Sequence, residues 1–237
     1  MSVDAEHDAL ALLERAELEI VGLLPRSSNH TFLARASDGP TDALAVYKPR
    51  AGETPLWDFP PGTLCQREVA AYRVANALGW PLVPPTILRD GPEGPGSVQL
   101  FVPFDPDAHY FTMVEDRPDD FRRIALFDAV VNNADRKGGH CLRAEDGRVF
   151  AVDHGVCFHE EPKLRTVIWE FAGERVAGEL VADLSRLRDG LEGTLGRTLS
   201  GLLTPAEIAA IRRRIERLLA AGFPLPGAER PYPWPVL

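Results

Sequence analysis

The pattern of apolar and polar positions divides the chain into a first part that mixes strand periods with two helical stretches and a second part that is more helical. Residues 5–20 carry Ala9, Leu10, Leu12, Leu13, Ala16 and Ile20 among acidic side chains, which predicts an amphipathic helix. Gly22 and Pro25 break that pattern, and Ser27-Ser28-Asn29-His30 reads as a polar turn. Residues 31–36 and 43–48 flank Asp38-Gly39 and predict a hairpin. A connection rich in Pro and Gly spans residues 49–62. The next periodic stretch predicts a helix over 64–78, with Val69, Tyr72, Ala75 and Leu78 facing inward and Gly79 and Pro81 ending it. Strands are predicted over 83–88 and 98–102, with a loop at 89–96 between them and Pro103 as terminator.

Beyond Pro103 the helical period dominates. Residues 121–131 place Ile124, Leu126, Phe127 and Val130 on one face and lead directly to Asn132 and Asp135. Cys141-Leu142 and Val149-Phe150-Ala151-Val152 read as short strands joined at the Asp146-Gly147 turn. Helices are predicted near 164–172, 174–187 and 204–220. The last starts at a capping box, Thr204-Pro205-Ala206-Glu207, and its apolar face is Ile208, Ile211, Ile215, Leu218 and Leu219. The proline-rich segment 223–237 is predicted to pack as an extended tail through Phe223, Tyr232 and Trp234. The fold class is therefore α+β, with a strand-rich lobe over residues 1–102 and a mainly helical lobe over 103–237, without internal repeats.

Composition narrows the function classes. A hydrophobic fraction of 45% supports a real core, and the formal net charge of -9 disfavours nonspecific nucleic-acid binding or a large anionic membrane surface. An acidic average is compatible with ATP, because a phosphate site is made locally basic and a metal adds its own charge. The three cysteines, Cys65, Cys141 and Cys157, form no CxxC pair and fit a reducing, cytoplasmic setting. No stretch is long and apolar enough for a transmembrane segment, and the acidic start of the chain argues against a secretory signal.

The chemistry concentrates in two segments. Asn132-Asn133-Ala134-Asp135-Arg136-Lys137-Gly138-Gly139-His140 is followed, after a short apolar strand, by Asp153-His154-Gly155. A carboxylate that orients a nucleophile, set near a second that holds a divalent cation, is an arrangement suited to phosphoryl transfer. Asp135 takes the first role and Asp153 the second. Lys48, at the end of a predicted strand, is a candidate for nucleotide phosphates, and Glu68 on the following helix is its candidate ion-pair partner. Arg136 and Lys137 are read either as cations near phosphate or Asp135, or as solvent-facing loop residues. The segment from Ser27 through Ser28 to Thr31 is a candidate phosphate cover, although it lacks GxGxxG and GxxxxGK[ST] patterns. A rival zinc or iron site from His140, His154 and His159 with Asp153 lacks HExxH spacing, and Cys141 and Cys157 lack the surroundings of a nucleophile.

These ordered segments resemble the atypical kinase superfamily that includes phosphatidylinositol 3- and 4-kinases and HipA-like serine/threonine kinases. The similarity is greatest to the type II phosphatidylinositol 4-kinase branch, and more narrowly to a small, mainly actinobacterial family of phosphatidylinositol-kinase-like proteins. It runs from about Gly22 to Phe158. Ala45-Val46-Tyr47-Lys48-Pro49 resembles the ATP-lysine strand, Arg67-Glu68-Val69-Ala70-Ala71-Tyr72 the glutamate helix, and Ser97-Val98-Gln99-Leu100-Phe101-Val102 the hinge strand. Asn133-Ala134-Asp135-Arg136 resembles the catalytic loop, and Val152-Asp153-His154-Gly155 the metal-binding Asp-x-Gly motif. The resemblance implies a single kinase-like domain with ATP and Mg²⁺ or Mn²⁺ as cofactors. It implies adenine contacts at Leu100, Phe101 and Val102, and a hydroxyl acceptor that is a protein serine or threonine, a small molecule or an inositol lipid. One departure stands out: the family's metal-binding Asn, five residues after the catalytic Asp, is His140 here. His140 is a second candidate metal ligand, and it also opens the alternative of a nucleotide-binding pseudokinase that acts as a regulatory protein-binding module.

Overall fold

A computed structural model of the protein describes residues 3–25, 29–227 and 231–237, so Ser27 and Ser28 of the predicted phosphate cover lie outside the described residues. Helix α1 (Val3–Arg15) is followed by strands β1 (Glu17–Leu23), β2 (Phe32–Ser37) and β3 (Asp42–Pro49), helix α2 (Leu64–Leu78), and strands β4 (Thr86–Gly91) and β5 (Gly94–Leu100). The second half comprises α3 (Tyr110–Met113), α4 (Pro118–Val131), the short strands β6 (Cys141–Arg143) and β7 (Val149–Ala151), then α5 (Glu179–Gly190), α6 (Thr194–Ser200) and α7 (Pro205–Ala221). This is the two-lobed α+β arrangement that the hydrophobic pattern predicts.

The five strands form one antiparallel sheet in the order β1-β2-β3-β5-β4. Alternation along β3 buries Ala45 and Tyr47 with Leu12 and Leu13 of α1 and Ala16 just after it, and turns Lys48 to the other face of the sheet. The predicted first helix is too long. At Ala16 the period changes from helical to alternating, and Glu17-Leu18-Glu19-Ile20 pairs with β2. Residues 89–96 are a tight hairpin rather than an open loop, with Gly91 paired to Gly94.

Helix α2 departs most usefully from expectation. The sequence assigns it one inward stripe, yet it is buried nearly all round, including Arg67 and Glu68. Its Ala70, Ala71, Val74 and Leu78 belong to the same apolar cluster as α4, α5 and α7. The helix predicted near 164–172 does not form. Those residues spend their backbone groups on other segments: Arg165 N donates to Asn133 O, Val167 N to Arg136 O and Thr166 N to Pro231 O. The tail packs as predicted through Phe223, but Tyr232 and Trp234 are exposed and Pro233 is buried instead.

Candidate functional site

Helix α4 ends at Asn132, which adopts a left-handed conformation (φ 56°, ψ 52°) that reverses the chain toward Asp135. The reversal is held by side chains. Asn132 donates its side-chain amide to the carbonyls of His159 and Glu161, and the side-chain Oδ1 of Asn133 accepts the Asp135 N–H at 2.9 Å. The fully buried Arg136 grips Asp128 of α4 through two bonds of 2.9 and 3.0 Å and also donates to Val152 O at 2.7 Å. The loop is therefore fixed from beneath by a buried, bidentate pair. This corrects the sequence reading of Arg136: it faces neither phosphate nor solvent. Lys137 does neutralise Asp135, at 2.9 Å.

The β6–β7 hairpin delivers the second carboxylate. Cys141 pairs with Ala151, and Val152 N donates to His140 O at 2.9 Å, so His140 and Asp153 emerge side by side. His140 Nε2 lies 3.4 Å from Asp153 Oδ2. Asp153 has φ 63°, a left-handed conformation that Asp tolerates better than most residues and that is common at functional sites. Gly155 packs against α2: a Cβ there would meet Leu64 Cβ at 3.4 Å and the Glu68 carboxylate at 3.6 Å, ordinary contact distances.

Lys48 closes the constellation. Its ammonium bonds Glu68, whose other oxygen accepts the His154 N–H at 2.9 Å, and it lies 2.9 Å from Asp153 Oδ1. Glu68 is 2% exposed, so its charge depends on Lys48. Burial works against the Lys48 charge, but the carboxylates of Asp153 and Glu68 outweigh it and hold the ammonium above its ordinary range. The same Lys48 charge keeps Asp153 well below the usual carboxylate range. Burial raises Asp135 despite Lys137, and burial lowers His140 to about 4 despite Asp153, so His140 is neutral at pH 7.

Lys48, Glu68, Asp135, His140 and Asp153 all line one cleft of about 1110 Å³. Of the predicted adenine contacts, Leu100 and Phe101 have already committed their N–H groups, to Pro85 O and Leu44 O. Leu100, Phe101 and Val102 line a separate cavity of about 260 Å³. Phe104, Pro106, Ala108 and His109 line the main cleft instead, joined by Trp234, Pro235 and Leu237 of the tail. Sequence reading missed these residues. Phe104 to Phe111 is an irregular aromatic run without period, and the tail reaches the loop after Asp135 through long-range contacts, among them a bond from Gly138 N to Val236 O at 2.8 Å.

The rival histidine site does not assemble. His154 is buried against Arg136 at 2.7 Å, and His159 Nδ1 accepts the Glu161 N–H. Among the described residues no group of three His, Cys, Asp or Glu side chains could hold a metal. The three cysteines are free and buried, and burial pushes the Cys65 thiol up to about 11 and Cys141 up to about 12, which makes them poor nucleophiles at neutral pH.

No protein-family model matches the chain. It is 42% identical over 269 residues to protein Rv2133c of Mycobacterium tuberculosis (strain ATCC 25618 / H37Rv), an alignment covering 98% of this chain and 96% of that protein. The chain belongs to the Rv2133c family. Solved structures extend the likeness of this Rv2133c-family fold to kinases. The Golgi casein kinase with Mn/ADP bound superposes with a TM-score of 0.59 at 15% identity, covering 100% of this chain and 81% of that one. A hydra Fam20 with sugar gives 0.58 at 16% identity, covering 93% and 89%. The Helicobacter pylori proinflammatory kinase CtkA gives 0.52 at 10% identity, covering 86% and 91%. At such identities the likeness shows the fold, which is two-lobed and kinase-like.

Proposed function

We propose that this protein is an ATP-dependent phosphotransferase that moves the γ-phosphoryl group to a hydroxyl acceptor. The observation that carries the reading is the Lys48 ammonium held between a buried Glu68 and Asp153, in a cleft that also presents Asp135. In this reading Lys48 binds the nucleotide phosphates and Glu68 fixes its direction. The lobe boundary at residues 102–103 belongs to the same proposal, as does a nucleotide seat between the lobes walled by Phe104, Pro106, Ala108 and His109.

The donor set suits a divalent cation shared with a nucleotide. Asp153 offers a half-exposed carboxylate, and neutral His140 lies beside it with a nitrogen donor. Two protein donors leave the remaining positions to phosphate oxygens and water, a usual arrangement for Mg²⁺ at nucleotide sites. The nitrogen of His140 inclines the pair toward Mn²⁺ more than an Asn would. Bound there, the cation supplies charge neutralisation of the phosphates.

Asp135 orients the acceptor hydroxyl and takes its proton. The hydroxyl oxygen forms a bond to the γ-phosphorus, the bond from that phosphorus to the ADP oxygen breaks, and ADP leaves with the bonding pair. Lys48 stabilises the charge that develops. The test is transfer of labelled γ-phosphate to lysate proteins, lipid extracts and metabolite pools. Wild type should label at least one pool and Asp135→Ala none, with ATP affinity largely retained; His140→Asn should keep or raise the Mg²⁺-dependent rate. The neutral His140 on Asp153 also favours a second reading, a nucleotide-binding pseudokinase. It gains if wild type binds ATP but labels nothing, itself included.

A further inference from the structure

A second cavity, of about 300 Å³, meets the main cleft at Asp135. Asn29, Leu64 and Val156 also line both cavities, so Asp135 stands in the partition between them. The cavity's outer wall is Trp57, 91% exposed, with the Lys163 ammonium 4.7 Å from its ring centre. Its apolar floor is Leu56 and Phe59 with Leu64 and Val156. At about 300 Å³ it lies at the small end of ligand pockets, roughly 300–1,000 Å³, and suits one small molecule.

The charges in this cavity are unbalanced in an informative way. Asp58 is matched by Lys163 at 2.9 Å, and Asp135 by Lys137 at 2.9 Å. Arg165 is the remaining charge. Its backbone is clamped to the catalytic loop on both sides, by the bond from Arg165 N to Asn133 O and by the bond from Arg136 N to Arg165 O. Arg165, a partly buried residue lining this cavity, nevertheless has no side-chain hydrogen-bond or ion-pair partner among the described residues. A guanidinium carried on a backbone held at this point and left without a carboxylate is a ready partner for a planar or tetrahedral anion.

We infer that this cavity is the acceptor site, and that it takes a small alcohol carrying a carboxylate or phosphate group. The hydroxyl sits at Asp135, the anion on Arg165, and the C–H face of the molecule on the open face of Trp57. The inference rests on the phosphotransfer reading for the hydroxyl's fate; the binding of the anion stands apart from it. The two anions share one recognition chemistry, so both are tested.

The experiment uses the full chain and two readouts. In the first, tryptophan emission is followed while gluconate, glucose 6-phosphate, neutral glucose, a serine peptide flanked by glutamates, or phosphatidylinositol vesicles are titrated in. At least one of the two small anions should give a saturable change. That change should vanish in Trp57→Phe and need at least tenfold more ligand in Arg165→Gln, with glucose inert. Arg165→Glu serves as a second variant and should abolish it; thermal melts confirm that each variant is folded. An equal response to glucose, no saturation by either anion, or an Arg165-dependent response to the peptide or vesicles alone overturns the proposal. In the second readout, labelled ATP is added. Transfer to the bound anion, lost in Arg165→Glu, supports the acceptor role. Saturable binding with ATP bound but no label on the anion overturns that role and leaves the kinase reading standing. Anion binding without any ATP binding overturns the kinase reading itself.

Discussion

At the residue scale, Lys48 does two jobs that substitutions will separate. It is the only described cation bonded to the Glu68 carboxylate, and that carboxylate is shielded from water. Lys48→Met should therefore abolish nucleotide-dependent activity and also cost about 1–3 kcal/mol of stability, the range for stranding a buried polar group. Adding Glu68→Gln should restore at least half of that loss without restoring activity, as a double-mutant cycle by chemical denaturation will show. A lysine solvated in the empty cleft would give no such rescue. Asp135 behaves oppositely. Burial raises its carboxyl, so the folded protein binds more protons there than the unfolded chain does between the ordinary carboxylate range and the raised value. Stability is then lost as pH rises through that window. Asp135→Asn should raise Tm at pH 7, with the advantage shrinking as pH falls into the ordinary carboxylate range, while transfer disappears. No gain in Tm at pH 7 would contradict this. Lys48, Glu68, Asp135 and Asp153 were legible as a set through their ordered resemblance to kinase motifs rather than through periodicity, and the fold brings all four to one cleft. Arg136 was not: its burial comes from Asp128, a turn of α4 that only folding brings beneath it.

At the scale of elements, α2 is the part that ties the site together. Arg67 donates to Glu207 of α7 at 2.6 Å and to Cys157 O, two residues past Gly155, at 2.7 Å. The helix that carries Glu68 is thus clamped to the second lobe and to the Asp153 loop, which leaves the Lys48–Glu68 pair formed before any ligand arrives. Arg67→Met should cost about 3–5 kcal/mol, because it strands the largely buried Glu207, and Glu207→Gln on top should recover part of that. Equal losses in the single and double variants would sink the clamp. The helix over 64–78 was predicted at its observed bounds, since apolar spacing and the Gly79 stop are local signals. Its burial over most of its surface was not predicted, because Arg67 and Glu68 look like a solvated face until their partners, many residues away, are known. The same holds for residues 164–172, where apolar spacing suggested a helix but backbone bonds to the loop over 133–136 and the tail prevailed.

At the scale of the whole molecule, two apolar clusters divide the protein. One lies between α1 and the sheet, and the other runs through α2 and the helices of the second half. The cleft of about 1110 Å³ carries Lys48 and Glu68 on one side and the Asp135 and Asp153 loops on the other. The two-lobed fold was legible because the first part of the chain is rich in strand periods and the later part in helical ones, although α2 packs with the helices of the second half. The walls of the cleft were not, because Phe104 to His109 and the tail have no period to read. No described helix is long and apolar enough to cross a membrane. The central claim is that this cleft binds ATP with a divalent cation through Lys48 and Asp153. Its most direct test is calorimetric titration of ATP into the folded protein with Mg²⁺, with Mn²⁺ and with neither. Saturable, metal-dependent binding, weakened at least tenfold in Asp153→Asn and in the Lys48→Met, Glu68→Gln double variant, is the predicted result. No heat of binding with either metal, from protein shown to be folded, would contradict it.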